Sequence, residues 1–212
     1  MGYLLDRRRF SVRRIQSILN SVWRLRGSIR IVGRQESFYV IHFEYPTDQE
    51  YILREGPWSV DGALFVVEQW TPNLALNWIQ LTFFTAWVQV HNLPLEYHDI
   101  ELAHFMGDLI GENVPMDWQP TFPRNICFLR LQVRIDPWLP LVAGFILKCD
   151  DGQYTWIECC YECIFKICKK CGLIGHSHSQ CHMDIVDMEE LLRDQAYRTQ
   201  SRCLIKFALD IT

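Results

Sequence analysis

The sequence lacks an apolar run long enough to cross a membrane. The longest one, residues 138–147, spans ten residues and includes Pro140, whereas a membrane-spanning helix needs about 20 apolar residues in succession. The first residues also lack a secretory signal, because Arg7, Arg8 and Arg9 interrupt their apolar stretch. We therefore expect no membrane partner, reduced thiols and an intracellular location, either nuclear or cytoplasmic.

Catalytic motifs are missing as well. The sequence shows no nucleophile elbow, no glycine loop that would cradle a phosphate and no pair of inward carboxylates. We predict that the protein is not an enzyme and takes no small-molecule substrate.

The sequence also lacks the excess of positive charge that lets a protein coat nucleic acid. Its 21 Lys and Arg residues stand against 25 Asp and Glu residues, which gives a net charge of −4. The positive charge is concentrated instead: nine arginines and one acid lie in residues 1–34, and three lysines and no acid lie in residues 164–181. These two zones could face a polyanion. The alternative for the arginines is a solvated helix face.

Cysteine, in contrast, is abundant, with nine residues, and the C-terminal part of the chain carries a metal-ligand pattern. The spacing is C-x2-C-x4-H-x4-C, and the four ligands are Cys168, Cys171, His176 and Cys181. The short first gap aims two thiolates at one ion, and Gly172 and Gly175 let the backbone wrap closely because glycine adopts positive φ without strain. We predict a zinc knuckle over residues 164–182 that holds one Zn²⁺, whose binding supplies most of the folding energy of this segment.

A second C-x2-C pair, Cys160 and Cys163, lies just upstream of the knuckle. A four-cysteine site made by these two residues with Cys168 and Cys171 is one alternative, although its central loop would be far shorter than the loops of zinc ribbons. A set of buried or redox-active cysteines is the other alternative, but it leaves the placing of His176 unexplained.

The remaining cysteines and histidines near the knuckle are expected to be structural or exposed. Cys159 and Cys160 are successive strand residues that point to opposite faces, so we interpret both as packing residues. His178 and His182 lie off the ligand spacing, and we expect both to be exposed, with His182 a remote substitute ligand.

Residues 1–72 predict a split βαβ sheet domain. A strand over residues 2–5 precedes a helix capped by Ser11 that ends near Gly27, and paired strands follow at 28–33 and 37–43. A short helix then starts at a capping box made by Thr47 and Glu50, and a last strand spans 63–70. This order is that of ferredoxin-like and RNA-recognition domains, whose open sheet face stacks bases. Phe38 is the candidate for stacking, with core packing as its alternative.

Residues 73–163 predict a second α/β half. A strand starts at Trp87, a helix spans 99–110, and an alternating strand over 128–135 points Arg130 and Arg134 outward. Strands 143–149 and 154–161 form a hairpin through residues 150–152. Residues 183–212 then form an acidic amphipathic segment. The predicted fold class is therefore α+β, with a split βαβ domain, a second α/β subdomain and a small zinc knuckle.

Motifs from the first strand to the knuckle resemble those of one plant family. They include Gly2-Tyr-Leu-Leu5, Gly56-Pro-Trp58, Trp70-Thr-Pro72, Leu93-Pro-Leu-Glu-Tyr97 and Tyr161-Glu162. The chain resembles retrotransposon-derived proteins in which a domain of unknown function precedes a C-x2-C-x4-H-x4-C knuckle. The resemblance implies nucleic-acid and zinc binding like that of the first protein of a LINE-type element, and no catalytic activity.

Two positions of the knuckle depart from retroviral-type knuckles that grip single strands. Lys169 stands where an aromatic residue is usual, and Ser177 stands where an apolar residue is usual. The knuckle is therefore expected to contact phosphates rather than to stack bases, which gives salt-sensitive binding with little sequence preference.

We therefore predict a non-enzymatic protein that binds zinc and single-stranded nucleic acid, either RNA or DNA, mostly through phosphates. The candidate nucleic-acid-binding residues are Arg7, Arg8, Arg9, Arg13, Phe38, Arg130, Arg134, Lys166, Lys169 and Lys170. The alternative function is a protein-interaction adaptor that docks a partner through the knuckle and the C-terminal helix.

Overall fold

The computed structural model describes residues 1–73, 80–113, 126–199 and 205–207. Within these ranges the chain is α+β, with two antiparallel sheets and four α-helices. It divides into two compact units. Unit 1 comprises Met1–Thr82 and Cys163–Lys166, and unit 2 comprises Phe83–Glu162 and Ile167–Thr212. The divisions after residues 72, 163 and 182 that the sequence suggests stay predictions.

Unit 1 contains a five-stranded sheet with two helices. Its elements are β1 (Gly2–Leu5), α1 (Val12–Val22), β2 (Ile29–Gln35), β3 (Phe38–Phe43), α2 (Pro46–Glu55), β4 (Trp58–Val60) and β5 (Ala63–Val67). The strand order is β2-β3-β1-β5-β4, and every neighbouring pair is antiparallel. The sequence pattern missed β4, which has three residues and pairs with β5 across a tight turn.

The core of unit 1 lies between the helices and one face of this sheet. The helices contribute Ile15, Leu19 and Ile52, and these pack with the sheet residues Leu4, Tyr39 and Phe65 in one buried cluster. The central part of the other face is buried too, since Leu5, Phe38, Leu64 and Val66 are each at most 8% exposed. The sheet is therefore closed around Phe38, where the RNA-recognition-like pattern predicts an open face, and this face is exposed towards β2, at His42 and Arg30.

Both helices of unit 1 differ in detail from the prediction. Ser11 caps α1 as expected, but the helix ends at Val22 rather than near Gly27. The capping box predicted at Thr47 and Glu50 is wrong: α2 begins at Pro46, whose fixed φ suits the first position of a helix, and it has no side-chain cap. Asp48 turns inward instead and accepts hydrogen bonds from the N–H groups of Arg26 and Gly27.

Unit 2 contains a six-stranded sheet. Its elements are β6 (Phe84–His91), α3 (Ile100–Ile110), β7 (Glu112–Asn113), β8 (Phe128–Ile135), β9 (Val142–Lys148), β10 (Tyr154–Tyr161), α4 (Ile185–Thr199) and β11 (Ile205–Phe207). The strand order is β11-β9-β10-β6-β8-β7, with antiparallel neighbours throughout. The sequence did not decide whether a last strand forms near the C-terminal end. Residues 205–207 form a strand, and the residues on either side of it lie outside the described ranges.

The predictions for unit 2 are largely confirmed. α3 starts at Ile100 rather than at residue 99, because Asp99 is its N-cap, and it ends at Ile110 as predicted. β8 alternates without interruption, with Leu129 and Leu131 buried while Arg130 and Arg134 are exposed. The β9–β10 hairpin closes through residues 149–153, where Gly152 has a φ of 82°.

One side of the unit 2 sheet faces the helix. α3 buries Ala103, Met106 and Leu109 and contacts β7 and β8. The opposite side carries the exposed arginines of β8. Across the described part of the chain, the search for a helix of membrane-spanning length and apolarity finds none.

Candidate metal centre

The first two ligands of the predicted knuckle lie on one tight turn. The N–H of Gly172 donates to the carbonyl of Cys168 at 2.7 Å, and the N–H of Cys168 donates to the carbonyl of Leu173 at 2.9 Å. Gly172 has a φ of 72°, a conformation that favours glycine. This turn brings the thiols of Cys168 and Cys171 to the same point.

The other two ligands are delivered by the turn that follows. Gly175, with a φ of 94°, redirects the chain so that His176 points inward. Ser177 then starts a short 3-10 helix, His178–Gln180, through a reciprocal capping box with Gln180. The N–H of Cys181 donates to the carbonyl of His178 at 3.1 Å, which ends this helix at the fourth ligand.

The four side chains form a compact donor set. Their ligand atoms all lie within 4.8 Å of one another, and Sγ of Cys171 is 3.4 Å from Nε2 of His176. Thiolates held at about 2.3 Å from a tetrahedral ion lie about 3.8 Å apart. Cys168, Cys171 and His176 are buried. The size and chemistry of the donor set therefore fit a metal ion.

The thiols of the cluster ionise differently. Burial raises the pKa of Cys171 to about 12, with contributions in the same direction from the neighbouring thiols of Cys168 and Cys181, although the N–H of Leu173 opposes the shift. Burial also acts to raise the pKa of Cys181, but the N–H of Met183 and the neighbouring thiols outweigh it and lower this pKa. Because ligands must lose their protons to bind a metal, binding here releases protons and strengthens with rising pH.

The cluster is fixed to the rest of unit 2 by its backbone. The N–H of Leu141 donates to the carbonyl of Gly172 at 3.0 Å. A Cβ added at Gly172 would lie only 3.0 Å from Cβ of Pro140. Lys170, one of the predicted phosphate contacts, donates from Nζ to the carbonyl of Met183 at 2.9 Å.

The neighbouring cysteines and histidines lie outside the cluster. Among the described residues, the group of metal-binding side chains includes neither Cys160 nor Cys163, so the four-cysteine alternative is not formed. Cys159 is buried, as predicted, and burial raises its pKa to about 12. His178 and His182 are exposed, as expected.

All four of the predicted N-terminal arginines are exposed: Arg7, Arg8, Arg9 and Arg13. Arg8 binds within unit 1: its guanidinium lies 2.9 Å from the carboxylate of Asp6 and 3.3 Å from that of Asp61. Arg8 therefore forms ion pairs within unit 1, and its predicted phosphate contact stays a prediction.

Lys166 also binds within unit 1, because its ammonium contacts the carboxylate of Asp6. The side chain of Asp6 is only 2% exposed. Burial acts to raise its pKa, but the hydrogen bonds from Arg8 and Lys166 outweigh this effect and hold the pKa of Asp6 below its usual value. Of the three lysines predicted to contact phosphates, only Lys169 is exposed.

Arg130 and Arg134 project from β8 and are held by acidic and aromatic neighbours. Arg130 binds both carboxylate oxygens of Glu162 at 2.8 Å and lies 3.7 Å above the ring of Trp87. The hydrogen bonds from Arg130 lower the pKa of Glu162. Arg134 lies 3.4 Å from the carboxylate of Glu112 and 4.7 Å from the ring centre of Phe83.

Phe38 is not placed for the base stacking that the sequence predicts. Its side chain belongs to the buried set of unit 1, and its ring meets that of Tyr3 edge-on at 4.7 Å. The alternative interpretation, that Phe38 is a packing residue, fits this position.

The fold and the cluster together define an α+β protein with a candidate Cys₃His metal centre. Residues 2–77 match the family model described as a domain of unknown function (DUF4283). No curated protein and no solved structure matches the chain. The match covers the sheet of unit 1 and ends before the cluster, so it confirms a domain of this description in residues 2–77. The knuckle, the plant retrotransposon origin and the likeness to the first protein of a LINE-type element stay predictions.

Proposed function

We propose that the chain is a zinc-binding, non-enzymatic protein of retroelement origin that binds single-stranded nucleic acid. The observation that carries the proposal is the convergence of Cys168, Cys171, His176 and Cys181 on one point. Three thiolates and one imidazole around a tetrahedral position are a ligand set typical of structural zinc. The turn geometry and the ligand spacing support a zinc knuckle.

The same ligand set supports a structural role for the ion. Four protein ligands complete a tetrahedral coordination shell, whereas a catalytic zinc keeps one position for water. When bound, Zn²⁺ would neutralise the converging thiolates and stabilise the turns at Gly172 and Gly175. Because the thiolates must be reduced, we place the protein in the nucleus or the cytoplasm.

Exposed cations support the nucleic-acid role. Arg7, Arg9 and Arg13 are exposed in unit 1, and Lys169 is exposed in unit 2, between the first two candidate ligands Cys168 and Cys171. The match of residues 2–77 to the domain of unknown function, together with the knuckle spacing, favours the retroelement origin. Contacts made by such exposed cations are directed at phosphates, so binding should be salt-sensitive and tolerant of sequence.

The test is a titration of fluorescent single-stranded RNA and DNA with the zinc-loaded chain at low salt. Replacing Arg9, Arg13 and Lys169 together by Gln should weaken binding at least tenfold, because each cation releases counterions from the nucleic acid. The matched control replaces Arg24, Arg54 and Arg193, three other exposed cations, and should change affinity little. Equal affinities for the two triple variants would contradict the phosphate-contact assignment.

One observation favours the second candidate, a protein-interaction adaptor. Ile185 and Val186, at the start of α4, are 66% and 72% exposed. Apolar side chains of a surface helix are usually covered. If the zinc-loaded chain binds neither RNA nor DNA at low salt, the nucleic-acid function is wrong and the adaptor function is favoured.

A further inference from the structure

The face of the unit 2 sheet that is opposite α3 carries a group of planar side chains. Directly paired residues of antiparallel strands share a face. His91 pairs with Phe128 and with Glu158, while Gln89 pairs with Arg130. Side chains two residues apart on one strand also share a face. We call this set the aromatic face; its members are Trp87, His91, Phe128, Arg130 and Trp156.

Trp156 lies on the sheet with part of its ring open to solvent. A Cβ built on Gly144 would lie 2.6 Å from the indole, so the ring lies over this glycine of the neighbouring strand. Trp156 is nevertheless 37% exposed. The absence of a side chain at residue 144 thus lets the indole rest against the backbone while it keeps an accessible surface.

The other members of the aromatic face form two further planar surfaces, one made by His91 with Phe128 and one made by Trp87 with Arg130. We call these two surfaces and the Trp156 ring the three stations of the face. The rings of His91 and Phe128 are 5.1 Å apart between centres. The guanidinium of Arg130 lies 3.7 Å above the ring of Trp87, and both oxygens of Glu162 hold it in this orientation. The side chain of Arg130 is still 43% exposed.

A hydrogen-bond chain links these two stations. Nε2 of Gln89 donates to Oε1 of Glu162 at 2.8 Å, which leaves the amide oxygen of Gln89 as an acceptor. Nε2 of His91 lies 3.1 Å from that oxygen and is therefore its donor. The imidazole and the guanidinium are held by the same carboxylate network, so both planes are fixed before any ligand arrives.

The register sets the spacing of the three stations. Trp156 lies two residues before Glu158, and Glu158 pairs with His91 on the neighbouring strand. Trp156 and His91 are therefore diagonal neighbours, roughly 8 Å apart. His91 lies four positions after Trp87 on β6, so their Cα atoms are roughly 13 Å apart. The stations therefore follow a diagonal line of about 20 Å across the sheet.

We propose that the aromatic face is a base-stacking track for single-stranded nucleic acid. The proposal rests on the proposed function and names a site for it that is separate from the exposed cations. Bases stack on aromatic rings and on guanidinium planes, and the three stations present both kinds of plane. The acidic partners of Arg130 and Arg134 offset their charge, so this face suits the flat bases better than the phosphates.

The track differs from the site that the sequence predicts in both place and chemistry. Phe38, the predicted stacking residue, is buried in unit 1. Arg130, a predicted phosphate contact, is already bound by a carboxylate and offers its planar surface instead. Stacking of this kind tolerates any base but requires that bases are present.

The test compares a single-stranded RNA 20-mer with an abasic oligonucleotide of equal length, each titrated with the full zinc-loaded chain. Wild type should prefer the RNA. Trp156→Ala should lose about tenfold in affinity for the RNA and nothing for the abasic strand. Trp156→Phe should recover most of the loss, and Trp138→Ala, a change at another exposed tryptophan of unit 2, should leave both affinities unchanged.

Two results would overturn the track. The first is equal affinity of wild type for the RNA and for the abasic strand. The second is equal RNA affinity of Trp156→Ala and Trp138→Ala, which would favour a protein partner as the ligand of this face. Thermal unfolding of each variant shows whether a loss reflects misfolding, and Trp156→Phe keeps the test valid if Trp156→Ala is unstable. Failure of wild type to bind either strand would instead refute the proposed function.

Discussion

At the scale of single residues, the four candidate metal ligands lie close enough together to hold one ion. Cys171 is buried and 3.4 Å from the imidazole of His176. We predict that zinc-loaded wild type contains about one zinc per chain and that Cys171→Ser contains almost none, because an alcohol is a poor zinc ligand. Metal analysis after gel filtration measures the ratio.

The control for this change is Cys160→Ser, which alters a cysteine outside the cluster. It should keep its full zinc content. If Cys160→Ser lost zinc and Cys171→Ser kept it, the ligand assignment would be wrong.

The buried carboxylate of Asp6 gives a second prediction at this scale. Asp6→Asn should lower the free energy of unfolding by about 2 kcal/mol at pH 7, because the ammonium of Lys166 and the guanidinium of Arg8 lose their partner. Since the pKa of Asp6 is lowered in the folded state, its contribution is complete above the unfolded pKa of about 3.9 and is lost as pH falls through the folded value.

Urea unfolding of wild type and Asp6→Asn at pH 7 and pH 3 measures this effect. The difference between the two proteins should shrink at the lower pH. Glu55→Gln is the matched control, since the Arg54–Glu55 pair is largely exposed and such pairs contribute about 0–1 kcal/mol. A difference that grows on acidification would contradict the role given to Asp6.

At the scale of elements, the sequence predicts best where the signal is local. The alternation in β8, the helix predicted over residues 99–110 and the glycine turn of the β9–β10 hairpin depend on neighbouring residues. The structure confirms all three, with α3 starting one residue later than predicted. The start of α2 was predicted wrongly because Thr47 and Glu50 fit a capping box, while Pro46 already provides a suitable first position.

The metal-binding turn gives a prediction for one element. Gly172→Ala should weaken zinc binding about fivefold or more, because alanine is strained at a φ of 72° and its Cβ would press on Pro140. Competition with a chelator of known affinity measures the change. Gly152→Ala is the control: its φ is also positive, at 82°, but nothing lies within 4 Å of the added Cβ.

Gly152→Ala should therefore lower stability by about 1 kcal/mol and leave zinc affinity unchanged. Equal zinc affinities for both alanine variants would show that the conformation of Gly172 does not matter to the site.

At the scale of the whole molecule, the four candidate metal ligands could be predicted from the sequence. Most of the acidic partners of the predicted cationic residues could not. The knuckle spacing is contained in fourteen residues, so the sequence alone names all four ligands. Lys166, in contrast, meets a carboxylate 160 positions away in the chain, and Arg130 meets Glu162, 32 positions away. Only the folded chain brings these partners together, so the sequence alone could not show that these two predicted phosphate contacts are also ion-paired.

Removal of the metal gives a prediction at this scale. A strong chelator should unfold the metal-binding turns while both sheets stay folded. Each sheet has a buried core of its own, whereas we expect the folding of the turns to depend on the ion. Hydrogen exchange measures this: amides of residues 167–181 should lose protection, and those of the central strands should keep it. Loss of protection throughout the chain would contradict this division.

The most direct test of the central claim is the salt dependence of binding between the zinc-loaded chain and a single-stranded oligonucleotide. If Arg7, Arg9, Arg13 and Lys169 each contact a phosphate, the logarithm of the association constant should fall linearly with the logarithm of the salt concentration, with a slope of about −3. Metal-free protein should bind more weakly. Absence of binding at the lowest salt, or a slope near zero, would contradict a phosphate-directed nucleic-acid-binding protein.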